Sequence, residues 1–409
     1  MLNTLTIVYL FYMFVAIYFL LLFILTFVKN RKEIFLVPET KKNYSVSVLI
    51  PAFNEEDSIE GTVRSVLDSD YKNIKEIIII NDGSTDRTLE IARRLEKKYS
   101  KIVVLDKKNE GSKAAALNYA IKRAKGELIA VVDADSYPDS HAISTMKGFF
   151  DDKKVGAVTT RILVRNRDNF LGKMQSIEYK VIAFTRKLLD FLDAVYVTPG
   201  PMALYRKKAL EKIKGFDVKN MTEDIEATWH LIHEGYKVRM SFVSKSTTVA
   251  PNTLKGWFRQ RIRWNIGGFQ CLSKYRKVWF RKGMLGYFII PFFAASLVLG
   301  TFGLGIFTYR ILRRIFYSYL LTNYSIAAQT SLIYLQEVNL NPSILNFLGV
   351  ILFIFGMAFV FFALKFINNH IREKERFFSV VFYSLVYILL RPIVLLVSFY
   401  KFLKGGYKW

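Results

Sequence analysis

The chain has 409 residues, of which 52% are hydrophobic and 15% aromatic, and it carries a formal net charge of +25. This apolar content is higher than in ordinary soluble domains and favours membrane spans. The single cysteine, Cys271, excludes a disulfide framework or a thiolate metal cluster within the chain. Much of the positive charge lies beside apolar segments, which is typical of cytoplasmic loops and anionic-lipid contact, so we infer no nucleic-acid partner.

The N-terminal segment predicts a membrane anchor. Residues 1–28 carry no charged side chain, and about 20 apolar residues are enough to cross a bilayer. The basic start and small-residue cleavage site of a signal peptide are missing, so the pattern predicts an uncleaved transmembrane helix over residues 1–30. Lys29, Arg31 and Lys32 follow directly and place the next domain in the cytoplasm.

Residues 45–250 have the pattern of an α/β domain. Short runs of β-branched residues alternate with helical stretches, which predicts a doubly wound, mostly parallel sheet covered on both faces. Ligands of such sheets bind beyond the carboxyl ends of the strands. The predicted strands cover residues 47–50, 77–80, 102–105 and 128–132, and the predicted helices cover residues 58–68, 85–98 and 112–125.

Two carboxylates follow the last of these strands directly. Asp133 and Asp135 could hold Mg²⁺ or Mn²⁺, which prefer oxygen ligands, and such a cation would neutralise a diphosphate leaving group. A polar turn without a ligand is the alternative.

The other strand ends carry further polar residues. Asp82 could accept a hydrogen bond from a base or a ribose, whereas we interpret Asp86 as a residue that helps to start the next helix. Lys113 opens a predicted helix after a glycine-containing loop, where it could receive a phosphate.

Two motifs lie further along the chain. Thr222, Glu223 and Asp224 precede a predicted helix; they form either a capping box or a site in which Asp224 is a general base. Gln260, Arg263 and Trp264 share one helical face, on which an amide, a guanidinium and an indole suit a diphosphate and a sugar ring. An aromatic and cationic helix on the membrane surface, within residues 251–283, is the alternative.

The C-terminal region, residues 284–409, predicts about three spans. Residues 285–309 and 343–364 are uncharged, and residues 377–400 contain one charge, Arg391. Residues 315–336 are uncharged but more polar, so they form either a further span or an interfacial or bundle-facing helix. Four spans in total would put the C-terminus outside, and five would return it inside.

These motifs, in this order and rough spacing, resemble the processive family 2 glycosyltransferases. That group includes the bacterial poly-N-acetylglucosamine, chitooligosaccharide, hyaluronan and cellulose synthases. The resemblance covers about residues 45–284, and it implies a GT-A catalytic domain in the cytoplasm, inserted between transmembrane helices of the cell membrane. Family members commonly carry two N-terminal spans, and this sequence predicts one. The matching motifs are Pro51–Glu55, Asp82–Asp86, Asp133–Asp135, Thr222–Asp224 and Gln260–Trp264.

The resemblance also implies a reaction and its residues. A single inverting displacement would move a sugar from a UDP-sugar donor to a growing β-linked polysaccharide, with Mg²⁺ or Mn²⁺ as cofactor and accessory export subunits left open. The segment over residues 222–229 is most similar to the poly-N-acetylglucosamine enzymes, so we expect N-acetylglucosamine. The implied roles are Asp224 as base; Ala52, Glu55, Asp82, Lys113, Asp133, Gln260 and Arg263 at the nucleotide-sugar; Asp135 at the metal; and Trp264, Gly200, Pro201 and Glu223 at the acceptor.

Two other functions are open to the sequence. The first is a non-processive transfer of one sugar to a polyprenyl phosphate or glycolipid, which would share the nucleotide and metal motifs. The Gln260, Arg263 and Trp264 motif argues against it, because this motif resembles the processive branch. The second is a non-catalytic membrane scaffold, which would have no need of Asp133, Asp135 and Asp224 together.

Overall fold

A computed structural model describes residues 4–327, 344–371 and 375–405. Within these residues the helices are α1 (Thr4–Asn30), α2 (Ile59–Leu67), α3 (Thr88–Lys98), α4 (Lys113–Ile121), α5 (Phe170–Asp190), α6 (Lys207–Lys212), α7 (Glu223–His233), α8 (Leu254–Lys274), α9 (Ile290–Ala327), α10 (Ile344–Ile371), α11 (Phe377–Phe382) and α12 (Ile388–Lys404). The strands are β1 (Val46–Ala52), β2 (Ile74–Asp82), β3 (Ile102–Lys107), β4 (Leu128–Val131), β5 (Ser136–Pro138), β6 (Val155–Val164), β7 (Ala203–Arg206) and β8 (Lys237–Thr248).

The eight described strands form one sheet in the order β3-β2-β1-β4-β7-β6-β8-β5. The first four are parallel to one another, whereas β7 runs antiparallel to both β4 and β6. Every residue of β1 is buried, as expected for a parallel strand covered by helices on both faces. The sheet is thus mixed in its second half, and the predicted α/β fold of GT-A type is confirmed.

Helix α5 joins the sheet domain to the apolar helices. Its Phe184 is fully buried, and the ring lies 5.8 Å from the ring of Phe27 in α1 and 5.6 Å from the ring of Phe366 in α10. Aromatic pairs at this separation add to the free energy of burying the rings themselves. The domain is therefore packed onto α1 and α10 through apolar side chains as well as linked to them by the chain.

In the part of the chain that the structure describes, four segments are long and apolar enough to cross a membrane: residues 10–30, 285–303, 350–368 and 377–404. They correspond to the anchor and the three C-terminal spans predicted above. Helix α9 continues without a break from Ile290 to Ala327, so residues 315–327 belong to the same helix as the preceding span. The remainder of the predicted segment, residues 328–336, lies outside the described residues.

The last apolar segment is interrupted by a π-helical turn over Tyr383–Tyr387, between α11 and α12. Pro392 lies inside α12, where it has no N–H to donate and its ring crowds the carbonyl one turn earlier, at Ile388. Single π-helical turns inside α-helices, such as the one over Tyr383–Tyr387, often lie at functional sites. Tyr387, the last residue of the turn, contacts the catalytic domain as described below.

Candidate active site

The carboxyl ends of β1, β2 and β4 lie side by side. Ala52, the last residue of β1, pairs with Asn81 next to the end of β2, and Asp133 follows β4 after one intervening residue. Burial, together with the charges of Asp135 and Asp133, raises the pKa of Glu55 to about 6. The structure therefore brings the acidic residues of these loops together at one edge of the sheet, as the parallel arrangement predicts.

Asp82 is the last residue of β2, and its carboxylate is already paired. Its Oδ1 accepts a hydrogen bond from Nζ of Lys107 at 2.7 Å, and both side chains are more than nine-tenths buried. An ion pair so well shielded from water holds the carboxylate in one orientation. Lys107, the last residue of β3, is therefore the residue that orients Asp82.

Asp86 has the structural role expected from the sequence. Its carboxylate accepts hydrogen bonds from the backbone N–H of Glu56 at 3.1 Å and of Thr88 at 3.0 Å. These bonds tie the loop after β1 to the loop after β2. They also explain why α3 begins at Thr88, three residues later than predicted.

Lys113 occupies the centre of the site. Its Nζ donates a short hydrogen bond to Asp133 and another, at 2.9 Å, to Oε1 of Glu223. Burial alone would lower the pKa of Lys113, but the charges of Asp133 and Glu223 outweigh it and raise the pKa above the usual value. The ammonium is thus permanently charged and links the strand-end loops to the start of α7.

Gly200 makes this arrangement possible. Its carbonyl accepts a hydrogen bond from the backbone N–H of Asp133 at 3.0 Å. A Cβ at this position would lie 2.5 Å from both carboxylate oxygens of Asp133 and 2.6 Å from Nζ of Lys113. Only glycine lets the backbone approach the ion pair so closely. Pro201, next to it, is fixed by Oγ of Ser246, which donates to its carbonyl at 3.1 Å.

Asp135 lies beside Asp133 and accepts hydrogen bonds on Oδ1 from Ser136 at 3.0 Å and Thr248 at 3.3 Å. Burial, followed by the charge of Asp133, raises the pKa of Asp135. Two neighbouring carboxylates that repel each other form a fitting donor set for a divalent cation, since Mg²⁺ and Mn²⁺ sites of transferases commonly use one or two carboxylates plus the substrate phosphates. Within the described residues, no group of three or more His, Cys, Asp or Glu side chains has metal-binding geometry.

Asp224 stands in the first turn of α7 and is half-buried. Burial, and then the charge of Glu223, raises its pKa to about 7. Glu223 behaves in the opposite way: burial would raise its pKa, but the Lys113 ammonium lowers it below the usual value. The pKa values of the two adjacent carboxylates are thus shifted in opposite directions. Glu223 stays ionised, whereas Asp224 can take up a proton near neutral pH.

The capping-box interpretation of this motif is wrong in detail. Thr222 does occupy the N-cap position of α7, but its side chain makes no capping bond and instead donates to Oδ1 of Asn220 at 3.3 Å. The turn is held by Thr228 instead. Its Oγ1 donates a hydrogen bond to the carbonyl of Asp224 at 2.7 Å and also contacts Oγ1 of Thr198 at 2.8 Å. The first turn of α7 is therefore rigid without a side-chain cap.

Helix α8 packs against α7 and borders the site on that side. Gln260 accepts a hydrogen bond from Arg261 at 2.5 Å, and the charge of Arg263 contributes to the lowered pKa of Glu223. The ring of Trp264 lies 4.0 Å from the guanidinium carbon of Arg261, a cation–π contact. All three predicted residues thus lie on α8, and of these it is Arg263 whose charge reaches Glu223.

Four residues of this region were not singled out by the sequence. Lys107, Thr198 and Arg261 each contact a predicted residue, and Glu178 in turn pairs with Arg261. Arg261 lies inside a recognised motif but between its predicted positions. Glu178 lies in a long helix among both polar and apolar residues, with no flanking motif, so the sequence offers no signal that singles it out.

Comparisons with known proteins identify the family of this domain. The family model described as glycosyl transferase family 2 matches residues 47–214. The chain is 36% identical over 231 residues to a poly-beta-1,6-N-acetyl-D-glucosamine synthase of Staphylococcus aureus (strain MSSA476), which covers 56% of each chain. It is 34% identical over 253 residues to the enzyme of the same name from Staphylococcus epidermidis, covering 61% of each chain. The match thus spans less than two thirds of the length of these curated relatives.

Among solved structures, the chain is similar to a mannosyltransferase from Pyrobaculum calidifontis in complex with GDP-Man and Mn²⁺. The TM-score is 0.60 at 17% identity, and the similarity covers 97% of this chain and 99% of that one. At this identity the likeness shows the fold alone. The family named in the resemblance is confirmed: residues 47–214 of this chain carry a domain of the glycosyl transferase family 2.

Proposed function

We propose that this protein is an inverting membrane glycosyltransferase that transfers N-acetylglucosamine from its UDP-sugar to a growing β-linked polysaccharide. The observation that carries the proposal is the placement of Asp224. It follows Glu223 directly, and Glu223 shares Lys113 with Asp133, so a group able to accept a proton near pH 7 lies beside the residues expected at the diphosphate. The sugar is inferred from the curated relatives, which are named for a polymer of N-acetylglucosamine.

In this proposal Asp224 removes the proton of an acceptor hydroxyl as the hydroxyl oxygen forms a bond to the anomeric carbon. The bond from that carbon to the UDP oxygen breaks, and UDP leaves from the opposite face, so the configuration inverts. Lys113, Gln260 and Arg263 stabilise the charge that develops on the diphosphate. Asp135 and Asp133 would hold Mg²⁺ or Mn²⁺, which supplies further charge neutralisation when bound.

The other residues assigned from the resemblance complete the site. Ala52, Glu55 and Asp82 hold the uridine, and Lys107 fixes the orientation of Asp82. Trp264 offers a flat surface for the acceptor sugar, while Gly200, Pro201 and Glu223 line the acceptor side. Helix α8, which carries Trp264, packs along α12, so the helix that bears the proposed acceptor platform contacts one of the apolar helices through which a polymer would leave.

We further propose that the protein is a multi-pass membrane protein whose catalytic domain faces the cytoplasm. The four apolar segments support this topology, as do the basic residues Lys29, Arg31 and Lys32 immediately after the first of them. The parts of the chain that would form a path for the polymer are residues 10–30 and the three C-terminal segments. Whether export needs an accessory subunit is left open by this proposal.

Product analysis tests the proposed function. Purified protein in proteoliposomes receives Mn²⁺ or Mg²⁺ and each radiolabelled UDP-sugar in turn, with and without polyprenyl phosphate. We expect a long, glycosidase-sensitive polymer from UDP-N-acetylglucosamine, without added lipid. A single sugar transferred only when the lipid is present would replace the proposal with non-processive transfer to a lipid acceptor. A polymer from another donor would correct the sugar alone.

A further inference from the structure

One buried carboxylate connects the catalytic domain, α8 and the last apolar helix. Glu178 of α5 is 1% exposed, and its Oε2 accepts hydrogen bonds from Nη2 of Arg261 at 2.6 Å and from the hydroxyl of Tyr387 at 2.7 Å. Its Oε1 accepts a hydrogen bond from Arg391 of α12. The indole N–H of Trp257, in the first turn of α8, donates to the same Tyr387 hydroxyl at 2.5 Å. Three helices therefore meet at this one side chain.

Such a cluster is a costly way to hold helices together. Two charges taken out of water lose their hydration, and replacing a buried ion pair by apolar residues is often neutral for stability. Arg391 adds to the cost because it lies within an apolar segment of 28 residues, where charged side chains are rare and mark function. Burial would raise the pKa of Glu178, but the charges of Arg261 and Arg391 lower it to about 2, so the carboxylate stays ionised.

The cluster reaches the acceptor side through Arg261. Its guanidinium carbon lies 4.0 Å from the centre of the Trp264 ring and 5.6 Å from that of Trp257. A planar guanidinium is held in place by its carboxylate partner and can then support an aromatic ring. Removal of the Glu178 carboxylate would deprive Arg261 of the negative charge that keeps its guanidinium group beside the ring of Trp264.

We propose that Glu178 is a positioning residue for the acceptor sugar: by fixing Arg261 it sets the place of Trp264, and through Tyr387 and Arg391 it ties that place to α12. The inference rests on the proposed function, since it takes Trp264 as the acceptor platform. It assigns to the start of the last apolar helix a part in elongation. Movement of α12 would be passed to the acceptor site through one carboxylate.

The test compares Glu178→Gln with a matched control on the same helix. Lys180→Gln removes another buried charge of α5, which pairs with Glu375 at 2.7 Å and with Asn368 of α10 at 3.0 Å. For Glu178→Gln we expect the KM for an acceptor oligosaccharide to rise about tenfold, because the platform is misplaced, and the products to be shorter. The KM for the UDP-sugar should stay within about twofold in both variants, and the acceptor KM should stay unchanged in Lys180→Gln.

A double-mutant comparison distinguishes a role of Glu178 in positioning Trp264 from a general loss of packing between the helices. If Glu178 acts through Trp264, then Glu178→Gln should change the acceptor KM by less than about twofold in a Trp264→Ala background. An unchanged acceptor KM in folded Glu178→Gln would overturn the proposal. An equal rise in Lys180→Gln, or full additivity with Trp264→Ala, would also overturn it.

Two further measures keep the result decisive. If Glu178→Gln does not fold, Tyr387→Phe replaces it: this variant keeps all charges and removes the hydroxyl that donates to Glu178 and accepts from the indole N–H of Trp257, and it should raise the acceptor KM about threefold. An acceptor KM unchanged in Tyr387→Phe then counts against the proposal. If the wild-type protein transfers a single sugar to lipid, the proposed polymerisation is wrong. The KM values for the lipid acceptor and for the UDP-sugar are then measured in the same variants, and they test the positioning role of Glu178 separately.

Discussion

At the scale of single residues, the proposed transfer depends on the protonation of Asp224. Burial and then the charge of Glu223 raise its pKa to about 7, and a general base works only as the carboxylate. We therefore expect kcat/KM to fall about tenfold for each pH unit below 7 and to level off above it. A series of rate measurements between pH 5 and 9 checks this expectation. A profile that stays flat down to pH 5 would remove Asp224 from the role of base.

The same residue can be tested by substitution. Asp224→Asn keeps the shape of the side chain but cannot take up a proton, so kcat should fall about 10²- to 10⁴-fold while the Kd for UDP stays nearly unchanged. Asp193→Asn is a matched control, because Asp193 lies on the surface and pairs with Arg239 and Lys237. Turnover retained in Asp224→Asn, or lost equally in the control, would contradict the assignment.

Gly200 tests the geometry of the ion pair. In Gly200→Ala the new methyl group would collide with Asp133 and Lys113, so the two side chains must move. Overpacking of this kind costs about 1–3 kcal/mol, and displacement of the charged groups should lower kcat/KM about 10²-fold. Gly356→Ala, in α10, meets no atom within 4 Å and serves as control. Activity at the wild-type level in folded Gly200→Ala would show that Lys113 need not be held by Asp133.

At the scale of secondary-structure elements, the site depends on how closely α8 approaches α7. Gly267 is the contact point: a Cβ there would lie 1.9 Å from Oγ1 and 2.7 Å from Cβ of Thr222, the residue before α7. Gly267→Ala should push α8 away from Asp224, lower the free energy of unfolding by about 1–3 kcal/mol and reduce kcat/KM about 10²-fold. Thermal unfolding and steady-state kinetics measure the two effects.

The matched control for this prediction lies on the same helix. Gly256→Ala places a methyl group in the first turn of α8, 3.1 Å from Oγ1 of Thr253 and away from α7. It should leave kcat/KM within about twofold of wild type, because the contact it changes is local. Equal losses in both variants would mean that the helix itself, and not its approach to α7, is sensitive to substitution.

The elements of the first half of the domain could be predicted from the sequence because their signals are local. Ile77 to Ile80 and Leu128 to Val131 are β-branched or apolar runs, and both lie in strands. The partners within the site could not be predicted, because they depend on tertiary distance. The sequence predicts Lys113 at a phosphate but does not show that it pairs with Asp133 and Glu223. It also does not distinguish Lys107 from the other basic residues, because only the fold brings β3 and its Lys107 beside Asp82.

At the scale of the whole molecule, contacts between α5 and the apolar helices bear on the proposed membrane topology. Lys180 of α5 pairs with Glu375, so this residue, two positions before α11, lies against the catalytic domain. A helix of 38 residues, α9, is about 57 Å long at 1.5 Å per residue and can cross a bilayer of about 30 Å with a long remainder. If α9 and α10 each cross once, the far end of α9 is on the side opposite to the domain.

Cysteine labelling tests this topology, because the chain has a single native cysteine, Cys271, which is buried and can be replaced by serine. In that background, Tyr324→Cys near the end of α9 should react with a membrane-impermeant maleimide in intact cells. Arg376→Cys, before α11, should react only after permeabilisation, as should Lys97→Cys on the surface of the catalytic domain. Labelling of Tyr324→Cys and Arg376→Cys from the same side would contradict a crossing by α10, and the ion pair of Lys180 with Glu375 would then need another explanation.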